Sequence, residues 1–334
     1  MSAHLVLLAD IGGTNARFAL GDPMLPAPLL LDSVRQVAAA GFPTLVAAAQ
    51  HYLAGIGVCG RDLHSGVFAV AGRVDGDTAQ ITNHPWLISG PDVARALGLE
   101  SLALINDFTA QALATQLLEE ADLVQIGNPA LRLRPSTSRS HAVLGPGTGL
   151  GVSALLVRDG RSIALETEGG HVGFAPSSAE EAQVLGILAR QFGRVSNERL
   201  LSGGGLVNLH GALHSINHGM LPAVALAPED VTAGAGYGDP LCLRAVQMFC
   251  EVFGSVAGDL VLTLGAWDGA FLCGGLVPKL LPQLQESAFR ERFEAKGRFR
   301  AAMAQVPTLA VLHPHAGLLG AAAAAIRPAL RSAA

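Results

Sequence analysis

Lysine is almost absent from this chain. Of its 334 residues only Lys279 and Lys296 are lysines. Neither follows a glycine-rich loop, so the G-x-x-x-x-G-K-[ST] phosphate signature is excluded. The turn at residues 145–151 fails G-x-G-x-x-G, because Leu150 stands where the third glycine belongs, and no H-R-D loop occurs either. Charge is scarce in general, at 15% of residues, and the balance is acidic, with a net charge of −5 and a pI near 6.1. That argues against nucleic acid or an anionic membrane as partner. Four cysteines (Cys59, Cys242, Cys250, Cys273) are widely spaced and form no C-x-x-C, which suggests neither a zinc site nor a disulfide framework. Mean hydropathy is +0.40, yet the uncharged apolar stretch at residues 142–157 is broken by "GPGTGLG" and is too glycine-rich for a spanning helix. "MSAHLVLLAD" has no basic segment and reaches Asp10 before an apolar core can form, so no secretory signal is expected. A cytoplasmic protein with reduced thiols is the expectation.

What is present is apolar and rich in glycine: 50% hydrophobic residues and 40 glycines, enough for large cores and too apolar for disorder. The length exceeds what one core usually serves, so two domains are expected. "HLVLLADIGGTNARFALGD" reads as strand, glycine turn, strand, and "SGVFAVAG" and "SLALIN" as further strands. Segments of helical period alternate with them, which indicates an α/β fold with a substantially parallel sheet. "HAVLGPGTGLGVSALLVRDG" repeats the first unit, with Gly-Thr at both bends. The repeat suggests two jaws around one ligand, although a glycine-rich chain can produce such a match by chance. Residues 128–140 read as a polar surface loop, and residues 203–239 as short helices in a glycine- and proline-rich stretch. "LLGAAAAAIRPAL" reads as a last helix returning to the first domain. The expected division is 1–117 plus a C-terminal helix at 311–334 as the smaller domain and 118–310 as the larger.

In "DIGGTNAR", Gly12, Gly13 and Thr14 offer backbone amides and a hydroxyl suited to phosphate oxygens. Asp10 before them could hold Mg²⁺, through water. A plain hairpin turn with a capping aspartate has the same sequence. Gly147, Thr148 and Gly149 repeat the phosphate logic. Gly274 and Gly275, in "FLCGGLVP", stand at a strand end opening a helix, where adenine or ribose could lie against bare backbone, or helix and strand could pack closely. Asn106 and Asp107 end an apolar strand and begin a helix. The pair can be an N-cap. If the glycine loops bind ATP, Asp107 can accept the proton of an attacking hydroxyl, kept ionised by the helix N-terminus, while Asn106 fixes another hydroxyl by donor and acceptor together. In "ETEGGHVGFAP", Glu168 and His171 could grip vicinal sugar hydroxyls. Glu198 precedes a helical segment and could equally serve as its first-turn acid. The loop "ITNHPW" is a weaker candidate near the sugar.

Seven motifs in order, "ADIGGTNAR", "TNHPW", "INDFTA", "GPGTGLG", "EGGHVGFAP", "ERLLSGGGL" and "FLCGGLVPK", closely resemble bacterial glucokinase of the hexokinase-like, actin-fold ATPase superfamily. The resemblance runs from about residue 5 to about residue 319. It implies a two-domain actin-like (ribonuclease H-like) fold with a cleft between the domains, ATP with Mg²⁺, glucose at the cleft base, and a cytoplasmic homodimer. By the same resemblance Ala9, Asp10, Ile11, Gly12, Gly13 and Thr14 form the ATP phosphate loop, and Gly147, Thr148 and Gly149 a second one. Gly274 and Gly275 contact adenosine, Asp107 is the base toward the sugar 6-hydroxyl, and Asn106, Glu168, His171 and Glu198 hold the other hydroxyls. Three departures stand out: Ala9 where glycine is expected before the aspartate, "HPHAGLLG" in place of an Asn-Pro-Gly pattern, and the loop at 128–140. The related kinase and repressor family is a poorer match, since no cysteine-rich zinc motif follows His171 and no helix-turn-helix precedes the first strand. A chaperone-like ATPase and a silent sugar sensor are the rival readings from other classes.

Overall fold

The computed structural model describes residues 4–81, 84–127, 137–224 and 226–326. Two compact units divide the chain. The first comprises Met1–Glu119, Ala164–Glu166 and His313–Ala334, the second Glu120–Ile163 and Thr167–Leu312.

In chain order the first unit holds β1 (Val6–Ile11), β2 (Asn15–Gly21), β3 (Leu29–Ala38), α1 (Leu45–Gly55), β4 (Ser65–Val70), β5 (Gly72–Asp75), β6 (Thr78–Ile81), β7 (Leu87–Ser89), α2 (Gly90–Leu97), β8 (Ser101–Asn106) and α3 (Asp107–Ala114). Then follow β9 (Leu123–Gln125), β10 (Arg139–Pro146), β11 (Leu150–Arg158), β12 (Arg161–Glu166), α4 (Ala179–Phe192), α5 (Gly203–His218), α6 (Pro228–Gly236) and α7 (Pro240–Leu264). The chain ends with β13 (Ala270–Leu272), α8 (Leu281–Glu286), α9 (Phe289–Glu294), α10 (Arg300–Met303), β14 (Thr308–Val311) and α11 (Ala316–Ala325).

A five-stranded sheet of order β3-β2-β1-β4-β8 organises the first unit, with a small β5-β6-β7 sheet beside it in sequence. β1 and β2 are an antiparallel hairpin, while β1, β4 and β8 run parallel. β1 and β4 are buried nearly throughout, which is why "VLLADI" and "SGVFAV" read as continuous apolar runs. The second sheet, β12-β11-β10-β13-β14-β9, repeats the plan: β10 and β11 form the hairpin, and β10, β13 and β14 run parallel. The α/β architecture with mixed sheets agrees with the sequence reading, and the two hairpins occupy matching places in their sheets.

Caps set the helix limits. Asp239 accepts the amides of Leu241 and Cys242 at the start of α7, Pro240 follows, and Gly265 closes it at a φ of 61°. α7 is long and apolar enough to cross a membrane, a property the sequence reading sought at residues 142–157 instead. Of its most apolar window 67% is buried inside the protein, and it packs against α5, α6 and α9 in the second core. Residues 142–157 form β10 and β11.

Several expectations need correction. The stretch 203–239 contains a 16-residue helix, α5, because Ser202 caps it and Leu206, Leu209 and Leu213 recur at helical spacing on its buried face. Gly274 and Gly275 do not open a helix directly. Gly274 is left-handed, with a φ of 86°, and α8 starts only at Leu281. Arg139 and Ser140 belong to β10, and residues 128–136 of the expected loop lie outside the described residues, as do Thr82 and Asn83 of "ITNHPW". Val311 ends a strand, so the last helix begins at Ala316 and not at 311.

α11 is apolar on every side, and its residues Ala316 to Ala323 are buried, as expected for such a helix. It packs along α3 and over β1 and β4. Gly320 makes the approach possible: a Cβ there would stand 1.8 Å from the carbonyl oxygen of Ala110. For Gly320→Ala, helix propensity favours alanine by about 1 kcal/mol. Overpacking against fixed backbone costs about 1–3 kcal/mol or more and should win. The expected outcome is a lower urea midpoint; a raised midpoint would show that α11 can back away from α3 freely.

Candidate active site

The register of the parallel strands gathers the first group of residues. Ile11 pairs with Val70, and Val70 with Asn106, so the ends of β1 and β8 lie level across β4 at the carboxyl edge of the sheet. In open α/β sheets that edge is where ligands bind.

The turn after β1 is closed by the Gly12 amide donating to the Asn15 carbonyl at 2.9 Å. The amides of Gly13 and Thr14 have no hydrogen bond among the described residues, and Thr14 is exposed. The phosphate-binding capacity foreseen for this turn therefore rests on Gly13 and Thr14 more than on Gly12. Ala9 is fully buried within β1. Asp10 pairs across the hairpin with Arg17, whose Nη1 lies 3.2 Å from Oδ2, while Arg17 Nε is held by Gln36 at 3.0 Å. Burial pushes the Asp10 carboxyl above its ordinary range, against the opposing pull of Arg17. α11 begins beside it: a Cβ on Gly317 would stand 2.7 Å from Asp10 Cγ. His315 precedes that helix, its Nδ1 buried and without a hydrogen-bond partner among the described residues. Arg17, His315 and Gly317 were not selected from the sequence. The cross-strand position of Arg17 was the available signal, since an acid and a base flanking a short turn face each other.

No group of three or more His, Cys, Asp or Glu side chains suited to a metal ion occurs among the described residues. A lone carboxylate at the edge of a phosphate-type turn still fits Mg²⁺, which takes one or two carboxylates and completes its shell with phosphate oxygens and water. Asp10 is the residue that would hold it, and the positive charge would relieve the burial that now raises its pKa.

Asn106 and Asp107 are both half-buried. Asn106 caps α3, its Oδ1 accepting the amides of Phe108 at 2.8 Å and Thr109 at 3.2 Å, and its Nδ2 donates to the Gly72 carbonyl at 3.1 Å. Its acceptor is thus committed, contrary to the expectation that donor and acceptor both face a ligand. Asp107 is the first residue of α3 and its Oδ1 accepts the Phe108 amide at 3.0 Å.

In the second unit, β10 and β13 are parallel neighbours, so residues 147–149 and 274–275 follow adjacent strands at the same edge. Gly147 donates to the Gly149 carbonyl at 2.8 Å, and Thr148 is exposed. Gly274 has no room for a side chain, because its Cβ would come 2.6 Å from the Pro146 carbonyl oxygen; Gly275 faces open space. Close packing therefore accounts for Gly274, and the bare backbone for a flat ligand is at Gly275. The loop with exposed Glu168 lies over the start of β11. Thr167 Oγ1 donates to the Val152 carbonyl at 2.7 Å, and a Cβ on Gly170 would meet the Leu150 carbonyl oxygen. His171 Nδ1 comes within 4.0 Å of Glu198 Oε1. The structure thus brings Glu198 and His171 together, and sets Glu198 against the 147–149 turn as well, where its Oε2 accepts the Leu150 amide at 2.9 Å.

The fold is that of solved sugar kinases. The crystal structure of a glucokinase from an Antarctic psychrotroph superposes with a TM-score of 0.84 at 33% identity, covering 96% of this chain and 98% of that one. A glucokinase from Streptomyces griseus of the ROK family, solved with glucose and AMPPNP, shares the fold at a TM-score of 0.63 and 20% identity, over 95% and 98% of the two chains. Residues 7–328 match the glucokinase family. The glucokinase of Stenotrophomonas maltophilia strain K279a is 60% identical over 319 residues, 95% of this chain and 94% of its own. The chain belongs to the glucokinase family.

The three buried thiols, one of them beside Gly274 and two in α7, should be inert. Burial pushes Cys273, adjacent to Gly274, up to about 12, Cys250 up to about 12 and Cys242 up to about 11, whereas Cys59 is exposed. A thiol reagent at pH 8 should label one cysteine per native chain rapidly and four after denaturation, since the thiolate is the reacting form. A second fast thiol in the native protein would show that the β13 edge or α7 opens readily.

Proposed function

We infer that this protein is a glucokinase that transfers the γ-phosphoryl group of Mg-ATP to the 6-hydroxyl of glucose. The observation that supports this most is the match to the family over residues 7–328, which spans every motif foreseen to carry the chemistry. In this reading Asp107 is the catalytic base. It orients the 6-hydroxyl toward the γ-phosphorus and takes its proton as the new P–O bond forms, while the opposite bond from the γ-phosphorus to the bridging oxygen breaks and ADP leaves with its electron pair. Placement at the first position of α3 favours the ionised carboxylate through the helix dipole. Asn106, Glu168, His171 and Glu198 hold the remaining sugar hydroxyls. The turn after β1, chiefly at Gly13 and Thr14, and residues 147–149 take the ATP phosphates, and Gly275 lies against adenosine beside the closely packed Gly274. Mg²⁺ near Asp10 neutralises phosphate charge when bound. The actin-like two-domain arrangement with a cleft, the cytoplasmic location and the homodimer belong to the same proposal; light scattering tests the dimer.

Water could take the place of the 6-hydroxyl, so closure driven by the correct sugar is the expected guard against ATP hydrolysis. Selectivity follows from polar groups left unpaired when a hydroxyl is inverted or missing.

Two measurements test the reading. ATP consumption and sugar phosphate should be followed with glucose, mannose, fructose, N-acetylglucosamine and no sugar. Turnover with glucose and little without it is expected. Sugar-independent turnover points to a chaperone-like ATPase, and silence with every sugar to a sensor. Asp107→Asn keeps an oxygen for the Phe108 amide but loses the base, so kcat should fall by about 10²–10⁴-fold with glucose binding largely retained. Near-normal kcat in that variant removes Asp107 from the base role.

A further inference from the structure

The Glu198 carboxylate touches two different loops. Oε2 accepts the Leu150 amide at 2.9 Å, at the point where β11 leaves the 147–149 turn. Oε1 faces His171 at 4.0 Å, and the side chain keeps 30% exposure, so this oxygen stays within reach of a ligand. The fit on the turn side is tight, because a Cβ on Gly149 would stand 2.5 Å from Oε2. Only glycine at 149 lets the carboxylate in.

Local sequence holds Glu198 in this position. It lies in the 3-10 turn Asn197–Arg199, tied to the His171 loop by the Asn197 amide donating to the Val172 carbonyl at 2.9 Å. Its own carbonyl accepts the Ser202 hydroxyl at 2.9 Å, and Ser202 caps α5 through the Gly205 amide at 3.0 Å. The next residue, Gly203, donates to the Gly147 carbonyl at 2.9 Å. The turn is therefore gripped on both sides by one short segment: at Gly147 by backbone, and at Leu150 by the side chain of Glu198.

We propose that Glu198 is a positioning residue for the nucleotide as well as a sugar contact, setting the 147–149 turn and linking its geometry to the presence of the sugar. The proposal rests on the glucokinase reading above. A sugar hydroxyl donating to Oε1 fixes the carboxylate plane, and with it the bond from Oε2 to the Leu150 amide. Hydrogen bonds to an ionised acceptor are about twice as strong as neutral ones, so this strut dominates the turn's weaker internal bond. Sugar then strengthens nucleotide binding, and nucleotide strengthens sugar binding by the same factor. A residue that only held the sugar would leave sugar-free nucleotide binding untouched.

The test compares Glu198→Ala, Glu198→Gln and Glu198→Asp by calorimetry with AMPPNP, with and without glucose, alongside kcat and both KM values. Glutamine can still present an oxygen to the Leu150 amide, whereas aspartate is one methylene short and alanine has nothing to offer. Glu198→Ala and Glu198→Asp should weaken AMPPNP about tenfold without glucose, as loss of a charge-assisted bond implies. They should also abolish the gain on adding glucose. Glu198→Gln should hold sugar-free AMPPNP affinity within about threefold while its KM for glucose rises. Unchanged AMPPNP affinity in the alanine and aspartate variants, with only the glucose KM raised, overturns the proposal. Should the alanine variant not fold, the aspartate–glutamine contrast decides alone. Failure of the glucokinase reading is separate, since the unmodified protein would then show no glucose-dependent ATP turnover.

Discussion

Parallel pairing of β1, β4 and β8 puts Ile11, Val70 and Asn106 on one level, and most of the first unit follows from that register. Adjacent strands are about 4.8 Å apart, so the ends of β1 and β8 are separated by roughly 10 Å with only β4 between them. A slip of one residue in either pairing would turn the buried strands inside out, so the apolar runs that fill the core also fix where Asp10 and Asn106 emerge. Placement of charged groups at this edge is a consequence of packing the core.

The second unit reaches a comparable result with glycine. Its hairpin turn and the end of β13 approach so closely that Gly145 and Gly274 have no room for a Cβ, and Gly149 and Gly170 are similarly hemmed in by Glu198 and by the Leu150 carbonyl. The backbone there is drawn into a small volume with few side chains. Exposed amides then become the surface that a ligand would meet, which is the property a polyanion needs. At these four positions glycine is what lets another chain segment pass close by.

Strands and hairpins were legible in the sequence because β1, β4, β10 and β11 carry apolar runs that lead into or out of glycine-containing turns, and β8 an apolar run that stops at Asn106. Length misled at α5, where three glycines at the start hid a regular apolar spacing further on, and at Gly274, where a helix was expected and a left-handed turn stands. Candidate polar residues could be chosen from motifs, but their partners could not. Arg17 is seven residues from Asp10 and could be guessed from the hairpin; Gly317 and His315 arrive from the other end of the chain with no local signal. The same holds for Glu198 and Leu150, 48 residues apart, whose bond depends on how the 3-10 turn at Asn197–Arg199, the β10–β11 hairpin and the α5 cap come together.

Asn106 and Asp107 show how two readings that compete in a sequence can coexist in a structure. The N-cap reading is realised by Asn106, which spends its acceptor on two amides of α3 and one N–H on Gly72. Because those amides are satisfied by Asn106, α3 does not depend on Asp107 for its start. Asp107 Oδ1 accepts the amide of its neighbour Phe108 at 3.0 Å. A fixed backbone and a helix dipole of the right sign are conditions that a positioned base requires. Capping by Asn106 thus supports the base role proposed for Asp107, because the start of α3 is held by its neighbour.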